Sequence, residues 1–230
     1  MIFSLKIFFD KRRLLGCLLF FASACNNKHT NDIIHISIND SLQAEKVAGE
    51  AFYIIEKVKE NVKQGDLILR TGRDFTSDAM RRLSVNDKTY SHCGIASFEN
   101  DSLFVYHAIG GEWNPDQKLR RDPFEFFCNP YENRGIGIFR YSFNNEEQEK
   151  LLQIVQTLYR RGICFDMKFD LNSDDRMYCS EFVYKSIEMA ANYKINLPLT
   201  TLNSIKFVAV DNLFMNPYCT AIKRVVYNSR

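Results

Sequence analysis

From Ser41 to Val62 the apolar residues recur at helical spacing. Leu42, Val47, Ala51, Phe52, Ile54, Ile55 and Val58 fall mostly on one face, and Asp40 or Ser41 can cap the start. Gly65-Asp66 breaks this pattern, and Leu67-Ile68-Leu69 reads as a short strand. Thr76 to Leu83 predicts a short helix with Arg81 and Arg82 outward. Cys93 to Phe98 and Leu103 to Ile109 predict two strands joined through Glu99-Asn100-Asp101-Ser102, a tight-turn composition. Gly110-Gly111 then opens a loop that holds the single tryptophan, Trp113. Asp122 to Cys128 reads as a helical turn, and Ile136 to Tyr141 as a strand. Asn144 or Asn145 caps a helix to about Arg161, with Glu146, Glu147 and Glu149 early and Arg160 and Arg161 late, as the helix dipole favours. An Asp-rich loop covers Cys164 to Arg176. A helix runs from Cys179 to about Tyr193 with Phe182, Val183, Ile187 and Ala190 on one stripe, and Ala221 to Tyr227 closes the chain as a strand. Helices around a small, mainly antiparallel sheet make this an α+β fold.

Composition changes that picture mainly at the N-terminus. The 230 residues are 46% hydrophobic and 25% charged, enough for one core. The formal net charge of +2 comes from the leader, whose first twenty-four residues hold four of the thirty bases and one of the twenty-eight acids. The remaining body is near neutral, which gives no electrostatic case for a nucleic-acid partner. Lys11-Arg12-Arg13, the apolar run Leu14 to Phe21 and the small residues Ala22-Ser23-Ala24 before Cys25 predict an export signal over residues 1–24. Ala-Ser-Ala-Cys resembles a bacterial lipobox, in which Cys25 is diacylated and becomes the new N-terminus. The expected product is an exported lipoprotein, membrane-anchored through lipid and facing the periplasm or the cell surface. Residues 25–40 then form a polar tether and residues 41–230 the folded domain.

Cys17 lies in the signal and Cys25 at the lipobox, which leaves Cys93, Cys128, Cys164, Cys179 and Cys219. The odd number leaves at least one thiol unpaired. No CxxC spacing or His/Cys cluster suggests a metal, and no cofactor is implied. Cys179 stands at a loop-to-helix junction, where unpaired backbone N–H groups and the helix dipole favour the thiolate. His92 and His107 lie on the two central strands. A turn centred on Glu99-Asn100 would set them opposite each other on one face.

These residues carry a resemblance. Gly65-Asp66-Leu67-Ile68, Tyr90-Ser91-His92-Cys93-Gly94-Ile95, Val105-Tyr106-His107-Ala108, Phe165-Asp166 and Met177-Tyr178-Cys179-Ser180-Glu181-Phe182-Val183 resemble, in order, the signature blocks of the YaeF/YiiX group. These are permuted papain-like amidases of the NlpC superfamily. The resemblance implies a permuted papain-like fold, a small antiparallel sheet or half-barrel packed by helices, with Cys179 as nucleophile and His92 as general base. His107 takes the place of the third, orienting residue, usually Glu in YiiX-like members. As a neutral group it supplies no negative charge to an imidazolium. Tyr90 and Tyr178 are candidates for lining the site or assisting the oxyanion and equally for wall packing, and Glu181 is read as structural, binding backbone or the Arg81–Arg82 segment.

The expected activity is cleavage of an amide or ester by acyl transfer on a small-molecule, peptide or lipid substrate, such as cell-wall peptide or an N-acyl lipid. The rival is a non-catalytic envelope lipoprotein that binds lipid or peptide on a hydrolase scaffold. The catalytic reading expects a sulfur-to-ring-nitrogen distance of roughly 3–4.5 Å between Cys179 and His92. It also expects Cys93, by strand alternation, to turn away from the site, so that Cys93→Ala leaves thiol labelling nearly intact.

Overall fold

A computed structural model describes residues 33–38 and 41–229 in backbone, and side chains from 49 to 226. The expected signal peptide and Cys25 lie outside the described residues. The strands are β1 (Ile33–Ile38), β2 (Leu67–Gly72), β3 (His92–Glu99), β4 (Ser102–His107), β5 (Arg120–Pro123), β6 (Asn133–Tyr141), β7 (Thr200–Leu202), β8 (Ile205–Phe207) and β9 (Cys219–Ser229). The helices are α1 (Ser41–Lys59), α2 (Phe75–Arg82), α3 (Phe124–Phe127), α4 (Asn145–Arg161) and α5 (Cys179–Ala190), with a 3₁₀ turn at Val210–Leu213. Seven strands form one sheet in the order β1-β9-β6-β2-β3-β4-β5. Its pairs are antiparallel except β1 with β9. This is the expected α+β architecture.

Alternation along the strands sorts the core into two layers. Ile68, Ala96, Val105, Ile136, Ile138 and Val225 pack with Ala51, Ile55 and Val58 of α1 and with Phe124 and Phe127 of α3. Leu67, Leu69, Cys93, Ile95, Tyr106 and Phe139 pack with Leu151, Val155 and Leu158 of α4 and with Phe182, Val183 and Ile187 of α5. Both sides of the sheet are therefore covered, and each layer takes every second residue.

The helix ends follow the sequence closely. Asn144 Oδ1 accepts the Glu147 N–H at 2.9 Å and the Glu147 carboxylate accepts the Asn144 N–H at 3.1 Å, a capping box at the start of α4. Gly162 ends that helix in the left-handed region, φ 68°.

Two elements depart from the expectations. Part of the tether, Ile33–Ile38, is strand β1, paired in parallel with β9. Its four isoleucines suit a β-strand better than a solvated linker. The turn expected at Asp122 to Cys128 is a strand followed by a shorter helix. β5 was hidden by its polarity, since Arg120, Arg121, Asp122 and Pro123 form the outermost strand, where charges and proline are tolerated.

The Gly65-Asp66 block has a structural role. Asp66 is 1% exposed and its carboxylate takes Arg140 Nε and Nη2, each at 2.7 Å, plus the Lys63 N–H at 2.7 Å. Arg140→Ala strands this buried carboxylate, and a loss of about 3 kcal/mol is expected. Urea denaturation should show a lower midpoint with an unchanged slope.

Candidate active site

The β3–β4 hairpin turns on Asn100 and Asp101, both at positive φ (46° and 62°), a two-residue turn whose twist suits the strands. The register pairs Ile95 with Tyr106 and Glu99 with Ser102. The turn thus sits one residue later than expected, and His92 and His107 are not directly opposite. A shift of one in the turn moves the pairing by two, so side-chain alternation is kept and the histidines become diagonal neighbours. His92 Nε2 lies 2.9 Å from His107 Nδ1, with the rings nearly perpendicular. Continued by one pair, the same register sets His107 across from Gly94. A Cβ on Gly94 would come within 2.5 Å of Val105 Cγ1 and 3.1 Å of His107 Cβ. Glycine there leaves room for the His107 ring to lean towards His92.

The chain of contacts continues onto β5. His107 Nε2 lies 2.9 Å from Asp122 Oδ2, and Arg120 Nη2 donates to Asp122 Oδ1 at 2.9 Å. Burial, the largest influence on Asp122, pushes its carboxyl up. The bonds from His107 and Arg120 outweigh it and hold the group below its ordinary value. Burial, aided by the positive charges of Arg70 and Arg120, lowers both histidines, His92 strongly. Both rings are therefore neutral near pH 7.

Proton positions follow. An ionised carboxylate only accepts, so His107 Nε2 carries the hydrogen. Neutral His107 then has a lone pair at Nδ1, and His92 Nε2 must donate to it. Neutral His92 is left with its lone pair on Nδ1, which has no hydrogen-bond partner among the described residues. The negative charge that His107 lacks is supplied one step further on by Asp122, a site residue the sequence reading placed in a helical turn.

Cys179 is the first residue of α5. From Met177 to Val183 it alone retains partial exposure; its neighbours are buried. Ala96 donates its N–H to Asp66 O, so the N–H groups of Ile95 and Cys93 face the other way, towards β4. β4 ends at His107, and beyond it the Cys93 N–H opens on a gap that the Cys179 thiol occupies. Contact with the Cys93 thiol lowers Cys179 most, burial opposes this, and the N–H groups of Ser180 and Cys93 lower it further. Cys93 is fully buried, which drives its own thiol well up, so the proton of the pair rests there.

Two expectations therefore change. Cys93 does turn to the sheet face opposite His92, but that face carries α5, so Cys93 touches Cys179 instead of avoiding it. No hydrogen bond joins Cys179 to His92. They meet β3 at adjacent residues from either side, with the His92 ring drawn to His107 and to Phe127, 5.6 Å between centroids.

The tyrosines are packed into the core. Tyr90 is fully buried among Phe139 and Phe214, with its hydroxyl bound by Arg224 Nε at 3.2 Å. Tyr178 is 1% exposed and its hydroxyl accepts the Val208 N–H at 2.8 Å. Both hydroxyls accept a bond from the scaffold, and both rings pack in the core. Glu181 is fully buried. It takes the Tyr178 N–H at 3.3 Å and pairs with Lys185 at 2.9 Å, not with Arg81 or Arg82. Asp166 is likewise structural, accepting the Lys168 and Asp170 N–H groups. Two clefts of about 500 Å³ and about 680 Å³ flank Tyr184 and Lys185 on the outer side of α5, and neither is lined by Cys179 or His92.

Residues 61–209, more than half of the chain, match the family described as permuted papain-like amidase enzyme, YaeF/YiiX, C92 family. The chain belongs to this family. The uncharacterized protein YiiX of Escherichia coli strain K12 is 28% identical over 133 residues, 57% of this chain and 60% of that protein. The crystal structure titled metalloprotein yiiX from Escherichia coli O157:H7 superposes with a TM-score of 0.58 at 21% identity, over 71% of this chain and 98% of that one. That likeness supports the papain-like fold. In this YaeF/YiiX member the order of parts is the permuted one, with the histidine strands before the cysteine helix.

Two titrations check the site. Cys179 alkylation by iodoacetamide should begin at lower pH than for an ordinary thiol, and Cys93→Ala should move its midpoint upward by removing the largest acidifying contact. A midpoint untouched by Cys93→Ala would remove Cys93 from the site. Burial raises Glu181 to about 7 from an ordinary 4.5, so the folded protein keeps a proton that the unfolded chain releases. Stability should therefore fall as pH rises from about 4.5 to about 7. Chemical denaturation across that range should show a shallower decline in Glu181→Gln.

Proposed function

We propose that the protein is a cysteine-dependent amide or ester hydrolase of the bacterial envelope, with Cys179 as nucleophile and His92 Nδ1 as base. The observation that carries this is the His92–His107–Asp122 relay. It leaves one lone pair, on His92, at the strand residue next to the one that touches Cys179. Membership of a permuted papain-like amidase family supports the same reading.

In the proposed reaction the Cys179 thiolate attacks the substrate carbonyl, and the oxyanion forms near unpaired N–H groups of the first turn of α5. His92, neutral at rest, takes up the proton that Cys179 gives up as it attacks and passes it to the leaving amine or alcohol. Asp122, acting through His107, offsets the charge on that imidazolium. Water, deprotonated by His92, then cleaves the thioester and returns the free thiol. Cell-wall peptides and N-acyl lipids are the substrate classes proposed. Residues 1–24 are proposed as an export signal and Cys25 as the lipidated N-terminus. Mass spectrometry of protein extracted from membranes should find a diacylated Cys25, and an unmodified N-terminus elsewhere would refute the anchor.

An electrophilic acyl probe, followed by muropeptides and acyl amides, tests the chemistry. Cys179→Ala should abolish labelling and turnover. His92→Ala should lower kcat/KM by about 10²–10⁴. Asp122→Asn should lower it less, because it acts through His107. Labelling at another cysteine, or turnover indifferent to His92→Ala, would favour a non-catalytic binding protein.

A further inference from the structure

The middle strand of the sheet carries one residue that burial alone does not explain. In β2, Leu67, Ile68, Leu69, Thr71 and Gly72 are buried, and Arg70 is half-buried. It pairs in register with His92, so both side chains leave the same face of the sheet. The guanidinium Cζ stands 4.7 Å from the centre of the Phe127 ring, which also packs on His92 and His107. Nη1 donates to the Phe127 carbonyl at 3.1 Å. That is its one hydrogen bond among the described residues, and no described carboxylate lies within ion-pair distance. Asp122 and Glu132 act on it only from further away, and Asp122 is already engaged by His107 and Arg120.

A guanidinium largely removed from water is stable when paired, and an arginine fork matches a planar carboxylate. We propose that Arg70 is a substrate-binding residue that receives a carboxylate of the substrate close to the scissile bond. This rests on Cys179 and His92 being the reacting pair and narrows their substrate to acyl compounds bearing an anionic group beside the carbonyl or the leaving group. The amide of an amino acid with a free α-carboxylate has that form; a neutral fatty amide does not. Burial lowers Arg70, as expected for a cation without a counter-ion, and the Cys179 thiol lies within its electrostatic reach.

The test compares iodoacetate with iodoacetamide, two alkylating agents of similar size that differ in charge, on the full chain. The readout is the ratio of their rates at Cys179, divided by the same ratio for glutathione. The expected normalised ratio is roughly tenfold above one for the unaltered protein, the worth of a charge-assisted hydrogen bond. Arg70→Gln should return it to about one, and Arg70→Lys should keep part of it, since the charge remains but the fork is lost. Acetate should slow iodoacetamide labelling of the unaltered protein more than acetamide does, a comparison that needs no variant. A normalised ratio near one in the unaltered protein, or a full ratio kept by folded Arg70→Gln, would overturn the proposal. If iodoacetamide does not single out Cys179 at all, the hydrolase reading itself falls. If it does so while the ratio stays ordinary, only the carboxylate subsite falls.

Discussion

The charge on Asp122 governs the site. A carboxylate has no hydrogen to give, so its presence on β5 settles which nitrogen of His107 is protonated, and through it which nitrogen of His92 remains basic. Each link is a diagonal step between neighbouring strands, which requires the hairpin register, the outermost strand and the absence of a side chain at Gly94 to agree. Burial pushes the acid up, and the bonds from His107 and Arg120 together hold it below its ordinary value. The third residue of the family pattern is thus a His–Asp pair, in which the imidazole transmits and the carboxylate supplies charge.

The two halves of the site obey different physics. On the α1 side the histidines are held by polar bonds beneath Phe127. On the α5 side the thiol is held by packing and by backbone N–H groups at a helix start. β3 separates them by the alternation of a single pair of residues, His92 and Cys93.

Much of this was legible in the sequence. Cys179 at a helix start, the pairing of His92 with His107 and the capping of α4 all follow from local rules of period and turn chemistry. The role of Asp122 was not, because Arg120-Arg121-Asp122-Pro123 has neither apolar alternation nor strand propensity. Its strand exists because β4 needs a partner. Of the two readings open for Tyr90 and Tyr178, wall packing fits the structure: they neighbour the key residues in sequence, yet alternation and the helix cap send both into the core. Cys93 was expected to be a bystander because the face it turns to was known while the helix covering that face was not.

The order of parts along the chain has a consequence for assembly. His92, His107 and Asp122 are fifteen residues apart in succession, so the whole proton relay lies within one local meander. Such short-range pairings close at low entropic cost and form early. The thiol comes from a helix that docks onto β3 from more than seventy positions further along the sequence. As the chain emerges from the ribosome, the histidine strands are complete before α5 has been synthesised. Permutation thus sets the histidine strands before the cysteine helix, and the Cys179 thiol meets Cys93 only once α5 settles on β3.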